Sequence, residues 1–171
     1  MAMNQGLLAE FDMEMQKTRQ TLERIPDEAF SFTPHQKSKP MSWLASHVAS
    51  LPYWAVVTMK TDVLDFTAPS PEAAAMPKEA KTNKELLENF EQCSKAAREA
   101  IASATDQALM QTWTLKKGDQ VLFTTPKAAV LRGFVMNHLI HHRGQLTMYM
   151  RLKDIPVPPL FGPSADENPW A

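Results

Sequence analysis

From Thr125-Pro126 to Lys153 the chain keeps one helical period without a break, about 28 residues and so roughly 40 Å of α-helix. Leu131, Val135, His138, His142, Gln145 and Tyr149 step along it at alternating spacings of four and three, an apolar seam that needs partner helices to cover it. A capping hydroxyl followed by proline marks the start of this helix at Thr125-Pro126.

The same segment carries three of the chain's five histidines, within Asn137–Gln145. His138 and His142 are four residues apart, one above the other on a single helix face, the geometry of a divalent-metal clamp. Hydrogen-bonded core histidines at the same two positions fit the seam equally well. His141 lies only about 60° around the helix from His138, so spacing leaves it open as a participant.

Three further amphipathic helices are predicted. Leu8, Phe11, Met15, Thr18, Leu22 and Ile25 set the first, over residues 7–25. The second begins at a Ser42 cap and runs to about Asp62, with Trp43, His47, Trp54 and Val57 or Thr58 facing inward and a bend at Pro52. The third runs from a Thr82 or Asn83 cap to Ala104, with Leu86, Phe90, Cys93, Ala97 and Ile101 on its buried stripe. Trp113-Thr114-Leu115 and Val121-Leu122-Phe123 flank a turn around Gly118 and form a short β-hairpin before the last helix.

The expected fold is therefore all-α, one four-helix bundle domain over residues 1–171. The connections 26–41 and 63–81 can each span about 50 Å when extended, so at least one long crossover is expected. Residues 26–40, with Phe30, Phe32 and Pro34, read as an ordered loop, and residues 63–81 as an irregular one. His35, between Pro34 and Gln36, is a further ligand candidate.

Eighteen basic against nineteen acidic side chains give no positive field for phosphate backbones, which argues against nucleic acid as a partner. No stretch is apolar for the length of a membrane span and no basic, apolar leader opens the chain, so a cytoplasmic protein is expected. The one cysteine, Cys93, permits no intrachain disulfide and reads as a packed small hydrophobe.

Ser42-Trp43-Leu44-Ala45-Ser46-His47-Val48-Ala49 with Pro52 and Trp54, then Asn137-His138-x-x-x-His142-Arg143-Gly144-Gln145, then Leu152 through Pro156-Val157-Pro158, resemble the DinB/YfiT-like superfamily over most of the chain. The resemblance implies a site of three histidines, His47, His138 and His142, holding one divalent metal per chain, nickel or zinc, with positions open for water or substrate. It also implies a homodimer, a role in bacterial stress response, and a small-molecule substrate, such as a low-molecular-weight thiol in an S-transferase reaction on small electrophiles. A metal-dependent hydrolase and a non-catalytic metal- or ligand-binding protein are the alternatives. Some isomerase-type relatives use a carboxylate where this chain has His138, which sets that chemistry apart. Gln145, one turn from His142, suits a second hydrogen-bonding layer behind a ligand imidazole, and Arg143 either an anionic substrate or a neighbouring carboxylate. Gly144 inside a helix suggests close approach of another helix.

Overall fold

In the computed structural model, which describes residues 2–170, four helical rods pack side by side with a three-stranded sheet against them. The first rod is α1, Met3–Leu22, and the third is α5, Asn83–Ala102. The second is α2, Met41–Ser50, continued after a 3-10 turn at Leu51–Tyr53 by α3, Trp54–Lys60, so Pro52 bends the rod where the missing backbone donor requires it. The fourth combines α7, Lys127–Ala129, a π-helical segment, Val130–Asn137, and α8, His138–Leu152. Two short helices, α4 at Pro71–Ala74 and α6 at Asp106–Met110, interrupt the connections. No helix among the described residues is long and apolar enough to cross a membrane.

α1 packs mainly on α5, α2 and α3 pack on α5, and α2 also packs on α8. The first two rods are therefore separated by the third, and residues 23–40 carry the chain across, as the long connection predicts. That loop is fastened by its backbone, Met41 N donating to Phe32 O at 2.8 Å and Ser42 N to Phe30 O at 3.0 Å. Ser42 does not cap α2: the helix starts at Met41, and the Ser42 hydroxyl donates to Glu79 instead. Thr125 does not cap the last rod either, because the preceding strand continues through Pro126.

The largest departure from the sequence reading lies in the last rod. Its buried line is Leu131, Val135, Leu139, Arg143, Leu146 and Met150, whereas His138 and His142 are half-buried and Gln145 is exposed. The predicted seam and the real one coincide at Leu131 and Val135, then differ by one residue. The π segment is the cause: its wider turn absorbs one extra residue, so everything downstream is turned by about 100° relative to an uninterrupted α-helix. The histidines leave the core line and face α2. In the second rod Leu44, Ala45, Val48 and Ala49 are buried and Trp43, His47 and Trp54 lie on the flank, whereas Val57 and Thr58 are buried as predicted.

The hairpin forms as predicted, from β2, Thr112–Lys117, and β3, Gln120–Pro126, around Gly118 at φ 59°, a conformation that favours glycine. The irregular segment 63–81 contributes a third strand, β1, Val63–Asp65, parallel to β2. Asp65 Oδ1 accepts from Gly118 N at 2.9 Å and from Thr67 N at 2.8 Å, bonds that hold its carboxyl well below the usual range and tie β1 to the hairpin turn. Trp113, Leu115 and Leu64 pack on Val57 and Val130, seating the sheet at the start of the π segment.

The proline-rich tail returns along the bundle through Asp166, which accepts from Arg151 Nη1 at 3.0 Å and from Val157 N at 2.8 Å. Phe161 and Trp170 both stay exposed, Phe161 meeting the body through Lys17, whose Nζ is 3.4 Å from the ring centre. The Arg151 guanidinium, then the Val157 amide, push the Asp166 carboxyl down to about 2. A carboxylate depressed on folding contributes stability above its unfolded value of about 3.9, and that contribution is lost as pH falls through its folded value. The tail is thus expected to loosen between about pH 4 and pH 2, with the Val157 amide resonance titrating near 2. A midpoint near 4 means that the clasp does not exist in solution.

Candidate metal centre

His47 comes from α2, and His138 and His142 from successive turns of α8. One ring nitrogen from each lies within 4.8 Å of the other two. His47 Nε2 and His138 Nε2 are 3.5 Å apart, close to the roughly 3.3 Å that separates neighbouring ligand atoms in a tetrahedral site with bonds of about 2.0–2.1 Å.

Each ring is held from behind. Trp43, one turn before His47, stacks on it with ring centres 5.0 Å apart and planes 17° from parallel. Phe134, one turn before His138, lies 5.6 Å from that ring. His142 Nδ1 is 2.7 Å from Gln145 Oε1, an atom that can only accept, so Nδ1 carries the proton and Nε2 keeps a free lone pair. The role of Gln145 as a support behind an imidazole is the one its spacing predicts.

Burial, then the nearby His142 and His138, push His47 down to about 4. Burial, then His142, also lowers His138, outweighing an opposite influence from the Phe134 carbonyl, which does not reach hydrogen-bonding geometry with the buried Nδ1. Both rings are therefore neutral at pH 7, the state in which imidazole ligates. Three imidazole nitrogens converging on one point fit a divalent transition ion.

The other sequence candidates fall outside the cluster. His141 sits exposed on the rim, 3.1 Å from Gln145 Nε2. His35 is occupied in its own loop, where Nδ1 accepts from Lys37 N at 3.1 Å. Arg143 points away from the histidines into the core, with Nη2 2.5 Å from Glu14 Oε2 and Nη1 3.0 Å from Glu14 O, so the neighbouring-carboxylate reading holds and the anion-binding one does not. Gly144 is exposed with no atom near the place a Cβ would take, so close helix approach does not explain it. Cys93 is buried and its thiol is pushed up to about 12, consistent with inert packing.

The sequence places Trp43 on the inward face without its stacking on His47, and passes over Phe134, although each precedes its histidine by four residues and a helical reading could have found both shoulders. It also passed over Glu79 and Ser46. Glu79, in the irregular crossover, carries no local signal; Ala80 N beside it donates to Ser46 Oγ at 2.9 Å, bringing the crossover against the helix of His47.

The sequence profile of the DinB family matches residues 1–167. The uncharacterized protein YrdA of Bacillus subtilis is 27% identical over 166 residues, covering 96% of this chain and 90% of its own. Among solved structures, a DinB-like protein from Bacillus cereus has a TM-score of 0.68 at 22% identity, with 90% of this chain and 95% of that one covered. YfiT from Bacillus subtilis, described as a probable metal-dependent hydrolase with an unusual four-helix bundle topology, has a TM-score of 0.62 at 15% identity, covering 90% of this chain and 89% of its own. At those identities the two structures speak for the fold.

Proposed function

The chain belongs to the DinB family, and from that premise we propose that it is a metal-dependent enzyme in which His47, His138 and His142 hold one divalent ion, zinc or nickel, for thiol-dependent transfer to a small electrophile. The observation that carries this reading is a ligand cluster made of three imidazoles with no carboxylate in it among the described residues. A divalent ion in such a site supplies Lewis acidity that lowers the pKa of a thiol or water in an open position. A thiol, ionising near 8.5 when free, needs far less help than water at 15.7, so a ligand cluster without a carboxylate suits the thiol.

The protein's own groups do the positioning. Gln145 fixes the His142 tautomer, Trp43 fixes the plane of His47, and Phe134 closes the side of His138 against water. Removing the Gln145 amide, as in Gln145→Ala, is expected to weaken metal binding by about 10–100-fold while leaving the fold intact, because Gln145 is exposed and its side chain hydrogen-bonds, among the described residues, only with His141 and His142. Competitive titration against a chromogenic chelator reads that change.

A hydrolase is the second reading, favoured by the description of YfiT and by Glu79, which lines a cavity of about 140 Å³ together with His47. One experiment separates the two. Protein purified without affinity metal is loaded with zinc or nickel, given a panel of low-molecular-weight thiols with a chlorinated or epoxide acceptor, and compared with His142→Ala. Thiol conjugation that depends on His142 supports transfer, and equal rates for the two proteins refute it. Cleavage of ester or amide probes without thiol supports the hydrolase.

A further inference from the structure

Ser42 and Ser46, one turn apart on α2, fasten the crossover arriving from the sheet. Ser42 Oγ donates to Glu79 Oε1 at 2.6 Å, and Ala80 N donates to Ser46 Oγ at 2.9 Å. An exposed carboxylate is thereby held at a fixed point. Glu79 is a wall of two cavities at once: the one of about 140 Å³ that borders His47, and one of about 750 Å³ between the 30–40 loop and the crossover, lined by Phe30, Pro40 and Ala80. The larger has the size of a small-molecule site, and apolar walls interrupted by hydroxyl groups and two charges, Glu79 and Lys81, match the make-up of such sites. Among the described residues no cation pairs with Glu79 and no donor other than Ser42 reaches it, so Oε2 is left to accept. Lys81 borders the larger cavity without pairing with Glu79, so a ligand lying there meets one charge of each sign.

We propose that the two cavities joined at Glu79 are the groove for the body of the thiol co-substrate, and that this co-substrate carries a primary ammonium group bound by Glu79. The assignment rests on the thiol-transfer reading and adds a substrate class to it. The ammonium supplies a charge-assisted partner for Oε2, and the smaller cavity carries the ligand from Glu79 to the edge of His47. An amino-acid-like thiol, with an anionic group for Lys81, satisfies both ends.

The test uses the full chain loaded with cobalt, whose visible absorption reports thiol coordination, and two matched probe series, ω-aminoalkanethiols and ω-hydroxyalkanethiols of two to six carbons. At lengths that bridge from the metal to Glu79, the amino series is expected to bind about fivefold or more tightly than the hydroxy series. Glu79→Gln, which keeps an oxygen for Ser42, is expected to bring the two series level. Parity at every length in the unaltered protein, or a preference that survives Glu79→Gln, overturns the assignment. If cobalt is not taken up, the metal reading has failed on its own terms and the groove is tested without it: butylammonium, which has no thiol, should shift the Ser42 and Glu79 resonances in the unaltered protein and not in Glu79→Gln. Absence of that shift also overturns the groove.

Discussion

Arg143→Met is expected to lower the free energy of unfolding by about 3–5 kcal/mol, a fall in melting temperature of roughly 10 °C for a chain of this size. Arg143 is 1% exposed and its guanidinium meets Glu14 Oε2 at 2.5 Å, Glu14 O at 3.0 Å and Thr18 Oγ1 at 3.1 Å, while Glu14 is 2% exposed. Methionine fills much of the volume but leaves a buried carboxylate whose one remaining cation among the described residues is Lys17, at 3.2 Å. Because desolvating both charges is itself costly, the pair as a whole adds little, and the double variant Glu14→Leu with Arg143→Met should recover to within about 1–2 kcal/mol of the unaltered protein. Denaturant unfolding of the three variants measures the cycle. A single-variant loss below about 1 kcal/mol would show that Glu14 is solvated in solution. Metal affinity of the folded Arg143→Met should stay unchanged, since its side chain lies on the core line and not among the histidines.

The second large effect is linked to metal. An ion that binds only the folded protein stabilises it by RT ln(1 + [L]/Kd), about 4 kcal/mol at a thousandfold excess over Kd, so zinc or nickel at that excess should raise the melting temperature by roughly 10 °C. His47→Ala should abolish the rise. Without metal the two proteins should differ by only about 1 kcal/mol, because His47 is half-buried on the flank and its polar contact is with His138. Thermal scans with metal and with chelator make the comparison. A shift that persists undiminished in His47→Ala places the ion elsewhere.

How far the sequence reveals the fold depends on whether the determining interactions are local. α5 is legible throughout: Thr82 caps it by accepting from Glu85 N at 3.2 Å, and all five stripe residues from Leu86 to Ile101 are buried. The last rod is legible as a helix and misleading as a seam. Its extra residue is absorbed by the π turns over Val130–Asn137, and a 4, 3, 4 apolar pattern gives no mark of that. The pair His138 and His142 is found all the same, because spacing along one helix is insensitive to how that helix is rotated, whereas His47 joins them through the family resemblance. β1 escapes because it is three residues long and its pairing, Leu64 with Leu115, joins distant parts of the chain. Glu14 escapes for a similar reason: a carboxylate on the buried side of α1 makes sense only once Arg143, 129 positions away, stands opposite.

The histidines also fix when the site can exist. His47 and His138 are 91 positions apart, with the crossover, α5 and the hairpin lying between them in the chain. Contacts of that separation form late in folding, since the loop they close carries a large entropic cost that earlier local contacts do not offset. An intermediate with every helix formed but the final rod undocked would hold the paired imidazoles of α8 without the third from α2, so if the proposed ion binds to all three, its uptake would time the docking of that rod rather than the growth of any helix.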